Sequence, residues 1–77
     1  MKNIRLGIYR HYKGKLYLVL GIAKHSETLE TLVVYISLYE NKTSQIWARP
    51  FESFINKVTV DEKEVERFKW EGEGSLI

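Results

Sequence analysis

His11, His25, Glu27 and Glu30 are the side chains of this sequence best suited to proton transfer or metal binding. "HSETLE" (residues 25–30) sets three of them beside hydroxyls. In an extended segment His25 and Glu27 share a face. Two ligands do not make a tetrahedral site, which takes three or four at about 2 Å. The chain has no cysteine and no H-x-x-x-H spacing. Ser26 and His25 are neighbours, so on a strand they point to opposite faces and make a poor nucleophile–base pair. Glu27 with His11 would serve as acid and base only if buried beside a substrate pocket. The sequence therefore predicts no metal, no cofactor and no catalytic residue. "HSETLE" reads as a polar strand connection, with Ser26 or Thr28 bonding the turn backbone. Glu27 or Glu30 would pair with Lys24, Arg10 or Arg49.

A second set of residues suits binding. Arg10 and Tyr12 alternate along one segment, and Trp47 and Arg49 along another, so each pair shares a strand face. Planar guanidinium groups hold anions and stack on rings. A ligand surface of Arg10, Tyr12, His25, Glu27, Tyr35, Trp47 and Arg49 is expected. The arginines would take an anionic group, Tyr12, Tyr35 and Trp47 would stack, and His25 and Glu27 would select by hydrogen bonding. The partner classes are a peptide, an anionic small molecule or nucleotide, and single-stranded nucleic acid. The alternative is an accessory or catalytic domain with His25 and Glu27 as acid and base.

These groups need strands to position them. "LYLVLGIA" (16–23) and "TLVVYISLY" (31–39) alternate with period two and are apolar on both faces. Such strands are covered on both sides or curve tightly around a small core. Leu18, Leu20, Val34, Ile36, Phe54 and Val58 are the expected core. Gly7–Tyr12 is a further strand, turning at Gly14. "ENKTS" (40–44) is a loop turned by Asn41, followed by a strand over "QIWAR" (45–49). Pro50 opens one or two helical turns, with Phe51, Phe54, Ile55 and Val58 at helical spacing. "KVTV" (57–60) is extended, "DEKE" (61–64) turns, and "VERFKW" (65–70) closes the fold. The pattern predicts one mainly β domain over 1–70, a small SH3-like β-barrel of about five antiparallel strands. The Gly-rich "EGEGSLI" (71–77) is expected to be a flexible tail.

The chain has 77 residues and a net charge of +2. The charge is uneven: residues 1–25 hold six bases and no acid, and residues 26–77 six bases and ten acids. Either the halves pair, or a basic patch meets an anionic partner. There is no dense basic stripe of the kind that grips nucleic acid. So small a domain has a slim stability margin and gains from self-association, so a monomer or weak homodimer is expected. The amino-terminal stretch has no signal-peptide core, and no apolar run reaches the 18 residues of a spanning helix. A cytoplasmic protein with no membrane partner is the expectation.

"YRHYKG" (9–14), "HSETLE" and W-x-R-P-x-x-x-F (47–54) form a specific combination over residues 7–68. Together they resemble the domain of unknown function 1653 family of small bacterial domains. The resemblance implies an SH3-like barrel and brings no established enzymatic activity. Two departures stand out. Glu62 occupies a turn position where relatives commonly carry glycine, which implies a different turn type. Glu66 replaces a proline common before Arg67, which implies a looser last strand.

Overall fold

Period-two alternation carries through the middle of the chain, and the computed structural model, which describes residues 2–73, is built on it. The strands are β1 (Gly7–His11), β2 (Leu16–Lys24), β3 (Thr31–Ser37) and β4 (Ile46–Pro50). The helix α1 (Phe51–Ile55) follows, then β5 (Lys57–Val60), β6 (Lys63–Glu66) and β7 (Phe68–Gly72). One antiparallel sheet has the order β4-β3-β2-β1-β7, and β5 pairs with β6 in a separate hairpin. The mainly β fold and the short helix after Pro50 are as expected. "VERFKW" is not one strand. It breaks at Arg67, whose N–H bonds the Asn56 carbonyl while its carbonyl accepts from Tyr12 N–H. Glu66 therefore ends β6 and does not enter the closing strand. β7 runs on to Gly72, taking Glu71 and Gly72 out of the expected tail, and 74–77 lie outside the described residues.

The turns follow local chemistry. Gly14 has φ +109° where β1 turns into β2. In the 40–44 loop Asn41 Oδ1 accepts from Thr43 N–H at 2.9 Å, so Asn41 is the turn former. The β5–β6 hairpin pairs Val60 with Lys63, leaving a two-residue turn. Asp61 and Glu62 hold φ of 50° and 65°. Positive φ at both positions is the turn that suits hairpin twist. Glu62 thus adopts the backbone a glycine would favour.

The core lies on the face opposite to the one expected. Tyr9, Val19, Val33, Tyr35, Phe51, Phe54 and Phe68 are buried, with Ile4, Tyr17, Trp47 and Trp70 packed around them. Of the expected core only Phe54 is there, at 1 % exposure. Leu18, Val34, Ile36 and Val58 are half-buried and Leu20 is exposed. Both faces of β2 and β3 are apolar, so alternation allows either choice, and volume decides. One short helix over one sheet leaves a space that aromatic rings fill better than aliphatic chains. The faces switch inside β2, where the register with β3 shifts between Val19 and Gly21. Leu20 is the extra residue of that bulge.

Candidate functional site

The cross-strand register brings aromatic residues together at one end of the sheet. Tyr9 lies opposite Tyr17 and Tyr17 opposite Ser37. Tyr35 lies opposite Trp47 in the next row. The Tyr17 and Tyr35 rings meet edge to face, centroids 5.3 Å apart, and Phe68 packs edge-on at 5.7 and 5.6 Å from them. Trp47 is oriented by its indole N–H, which donates to Ser37 Oγ at 3.1 Å. Tyr17, Tyr35, Asn41, Trp47 and Arg49 line a cleft of about 270 Å³.

Arg49 is the charged group of this cleft. It is half-buried, its Nε–H donates to Tyr35 Oη at 3.4 Å, and its guanidinium lies 5.6 Å from the Phe68 ring centre. Among the described residues the ion pairs are Lys2–Glu52 and Arg10–Glu71, so Arg49 meets no carboxylate. The expected Arg49–Glu27 or Arg49–Glu30 bridge is therefore not formed. His11 responds to this positive charge by staying neutral. Its pKa is pushed below 6.5 by burial, and further by Arg49, Arg67 and Lys13.

Two of the lining residues, Tyr17 and Asn41, bond the Tyr39 hydroxyl. Tyr17 Oη and Tyr39 Oη are 2.7 Å apart, and Asn41 Nδ2 donates to Tyr39 at 3.2 Å. Burial raises the Tyr17 pKa, while the bond from Tyr17 lowers that of Tyr39. Either hydroxyl can be the donor of this bond. Lys15 Nζ sits 4.8 Å from the Tyr39 ring centre, adding another positive charge.

The expected surface divides into three. Tyr35, Trp47 and Arg49 come together in the cleft. Arg10 faces the other side of the sheet, bonded to Glu71 at 2.8 Å and to the Gly14 carbonyl at 2.9 Å. Together with Tyr12 it lines a different hollow, about 500 Å³, between β1 and the β5–β6 hairpin. That hollow has bases and acids in its walls, and its arginine is already engaged.

His25 and Glu27 lie at the opposite end of the β2–β3 hairpin. Tyr17 and Ser37 pair at one end of that ladder, and Lys24 and Thr31 at the other. His25 Nδ1 accepts the N–H groups of Glu27 and Thr28, and Thr28 Oγ1 accepts from Glu30 N–H. All six side chains of this turn are exposed. The turn is held by its own histidine and threonine. The glutamates expected to pair with Lys24 or Arg10 do not: Lys24 donates to Thr31 Oγ1. Among the described residues no three His, Asp or Glu side chains converge.

Tyr17, Tyr39 and Phe68 belong to the cleft region and were not singled out from sequence, while Asn41 was expected there only as a turn former and His11 only as an acid–base or metal candidate. Strand parity placed Tyr17 apart from the aliphatic face of β2, and Tyr35 with Tyr39 on one face of β3. Register then joins these sets, and register is not written in either strand alone.

Residues 7–70 match the model of a protein family described as "Protein of unknown function (DUF1653)". A crystal structure of a protein of that family from Bordetella bronchiseptica is similar, with a TM-score of 0.87 and 35 % identity. The match covers 96 % of this chain and 95 % of that one. No curated protein matches the chain.

Proposed function

The chain belongs to the DUF1653 family, and from the geometry of its aromatic cleft we propose that it is a non-enzymatic binding module for an anionic group. The observation that carries the reading is Arg49: a half-buried guanidinium without a carboxylate partner among the described residues, set among Tyr35, Trp47 and Phe68. Such a group gains a charge-assisted, two-pronged bond when a carboxylate or phosphate enters. Tyr17 and Trp47 offer flat apolar walls to whatever carries the anion. The cleft's 270 Å³ is slightly below the range of whole-ligand pockets, about 300–1,000 Å³. It suits the head of a ligand whose body lies on the surface, as peptides lie on the aromatic grooves of SH3-like domains.

The test is an amide and indole shift map of labelled protein against small carboxylates, phosphates, peptides and single-stranded oligonucleotides. Binding should move the Trp47 indole and the Arg49 Nε resonances, with affinity falling as salt rises. Arg49→Gln should weaken binding at least tenfold, and Arg49→Lys should recover only part of it. Shifts confined to other surfaces, or binding unchanged in Arg49→Gln, would remove the reading.

A further inference from the structure

Hydrogen-bond donors and acceptors are unequally supplied in the Arg49 cleft. Its lining, Tyr17, Tyr35, Asn41, Trp47 and Arg49, contains no carboxylate. Of the acids near it along the chain, Glu40 is exposed outside the lining and Glu52 pairs with Lys2. Side-chain acceptors are already engaged. Asn41 Oδ1 takes the N–H groups of Thr43 and Ser44, Ser37 Oγ takes the Trp47 indole N–H, and the Tyr17 and Tyr39 hydroxyls bond each other. Donors are left over. Arg49 uses Nε on Tyr35, and neither of its Nη atoms bonds an acceptor among the described residues. Tyr35 is 5 % exposed, and its hydroxyl, having accepted from Arg49, keeps a proton with no acceptor among the described residues. A buried donor left unpaired is costly, so these two groups together favour an entering acceptor.

We infer that the cleft selects a monoanionic carboxylate joined to an aromatic ring, held by Arg49 and the Tyr35 hydroxyl, with no ammonium group beside it. This rests on the reading of Arg49 as an anion site and narrows its ligand. A carboxylate is planar, and its two oxygens match the end-on fork of the Nη atoms. A further lone pair accepts the Tyr35 proton. A free amino acid would bring its ammonium beside Arg49, where no carboxylate answers it. A phosphate monoester carries a charge of about −1.5 to −2 at pH 7. Against it the cleft sets the Arg49 guanidinium, since His11 stays neutral and Lys15 lies outside, over the Tyr39 ring. The single negative charge of a carboxylate is the better match.

The walls specify the ring. Tyr17 is fixed edge-on against Tyr35, Tyr39 and Phe68, with centroids 5.3, 5.5 and 5.7 Å away. Trp47 is held by its bond to Ser37 Oγ. Walls already locked lose little freedom when a flat group enters, and aromatic faces prefer a ring edge or an offset stack. At about 270 Å³ the cleft takes a carboxylate and one ring, and a nucleotide would overfill it. The same chemistry comes from a free aryl-substituted acid or from the carboxyl-terminal aromatic residue of a peptide.

Titration of the isotope-labelled full chain with small probes tests this, read at the Trp47 indole and Arg49 Nε signals. Phenylacetate and N-acetylphenylalanine should move both, with dissociation constants on the order of 0.1–1 mM. Phenylalanine, phenyl phosphate and N-acetylphenylalanine amide should each bind about tenfold more weakly or worse. Tyr35→Phe keeps the core ring, so it should keep the far-ultraviolet spectrum while binding phenylacetate about three- to tenfold more weakly. Tighter binding of N-acetylphenylalanine supports the inference with a peptide terminus as the source, and tighter binding of phenylacetate supports it with a free acid. Phenylalanine or phenyl phosphate binding as tightly as phenylacetate overturns it, yet leaves Arg49 an anion site. So does phenylacetate affinity unchanged in Tyr35→Phe. Silence of both signals toward every anionic probe removes this inference and the anion reading together.

Discussion

Phe54 of α1 and Phe68 of β7 stack face to face, with centroids 4.1 Å apart and planes 6° from parallel. Tyr9 meets the Phe54 ring edge-on at 5.3 Å, and Tyr35 packs against both phenylalanines at 5.4 and 5.6 Å. The stack ties the helix to the edge strand, and the same Phe68 ring lies beneath the Arg49 guanidinium. Tyr17 and Tyr35, which line the cleft, pack on the same Phe68 ring, so core and cleft share one aromatic assembly.

Removing the centre of that assembly should be costly. Phe54→Ala should lower the unfolding free energy by about 3–5 kcal/mol, because the ring leaves a cavity the sheet cannot close. In a domain of this size that is a large share of the whole margin. Urea denaturation with fluorescence detection measures it. Phe54→Leu, which keeps most of the volume, should cost about 1–2 kcal/mol.

Gly7 carries a different constraint. Its φ is +131°, and a Cβ there would collide with the carbonyl oxygen of Gly72 and approach Trp70 Nε1 to 2.9 Å. That indole already donates to the Leu6 carbonyl at 3.0 Å, so it has little freedom to retreat. Gly7→Ala should cost about 1–3 kcal/mol in thermal or urea unfolding. It should also speed amide exchange along the β1–β7 ladder.

Glu62 offers the reverse case. Its φ of 65° strains a residue with a Cβ, and Asp-Gly is the preferred pair for this turn. Glu62→Gly should stabilise the domain by about 0.5–1 kcal/mol, a net of relieved strain and added chain entropy. A raised urea midpoint with an unchanged slope is the expected signature.

His11 should make stability depend on pH on the acid side. Burial and the neighbouring cations hold its pKa below 6.5 in the folded chain. Below pH 6.5 the unfolded chain takes up a proton that the folded chain refuses, so stability falls with acidification and is unaffected above that value. Nuclear magnetic resonance titration should show His11 ionising below 6.5. Arg49→Gln should move that pKa upward, and so should an anion bound at Arg49.

The first strands, their turns and the helix were legible because each has a local signal: two-residue alternation, Gly14, Asn41, and Pro50 before helically spaced phenylalanines; the break at Arg67 that divides "VERFKW" between two sheets was not. Tyr35, Trp47 and Arg49 were legible as a group because Trp47 and Arg49 share strand parity and all three have binding chemistry. Their separation from Arg10, Tyr12, His25 and Glu27 was not legible. Arg10 differs from His11 by one position, which on a strand is the whole thickness of the sheet. His25 looks like a reactive group in sequence, yet in the fold it accepts the backbone N–H groups of its own turn.

The sequence by itself determined a mainly β domain, most of its elements and the family it resembles, since these depend on neighbours along the chain. The tertiary structure decided which face is core and which residues share a cleft. With both faces of β2 and β3 apolar, parity allowed two solutions of nearly equal local merit. The choice came from volume: Tyr17, Tyr35, Phe54 and Phe68 interlock across strands far apart in sequence. The same packing turned Leu20 and Ile46 outward and left Arg49 beside rings and without a carboxylate.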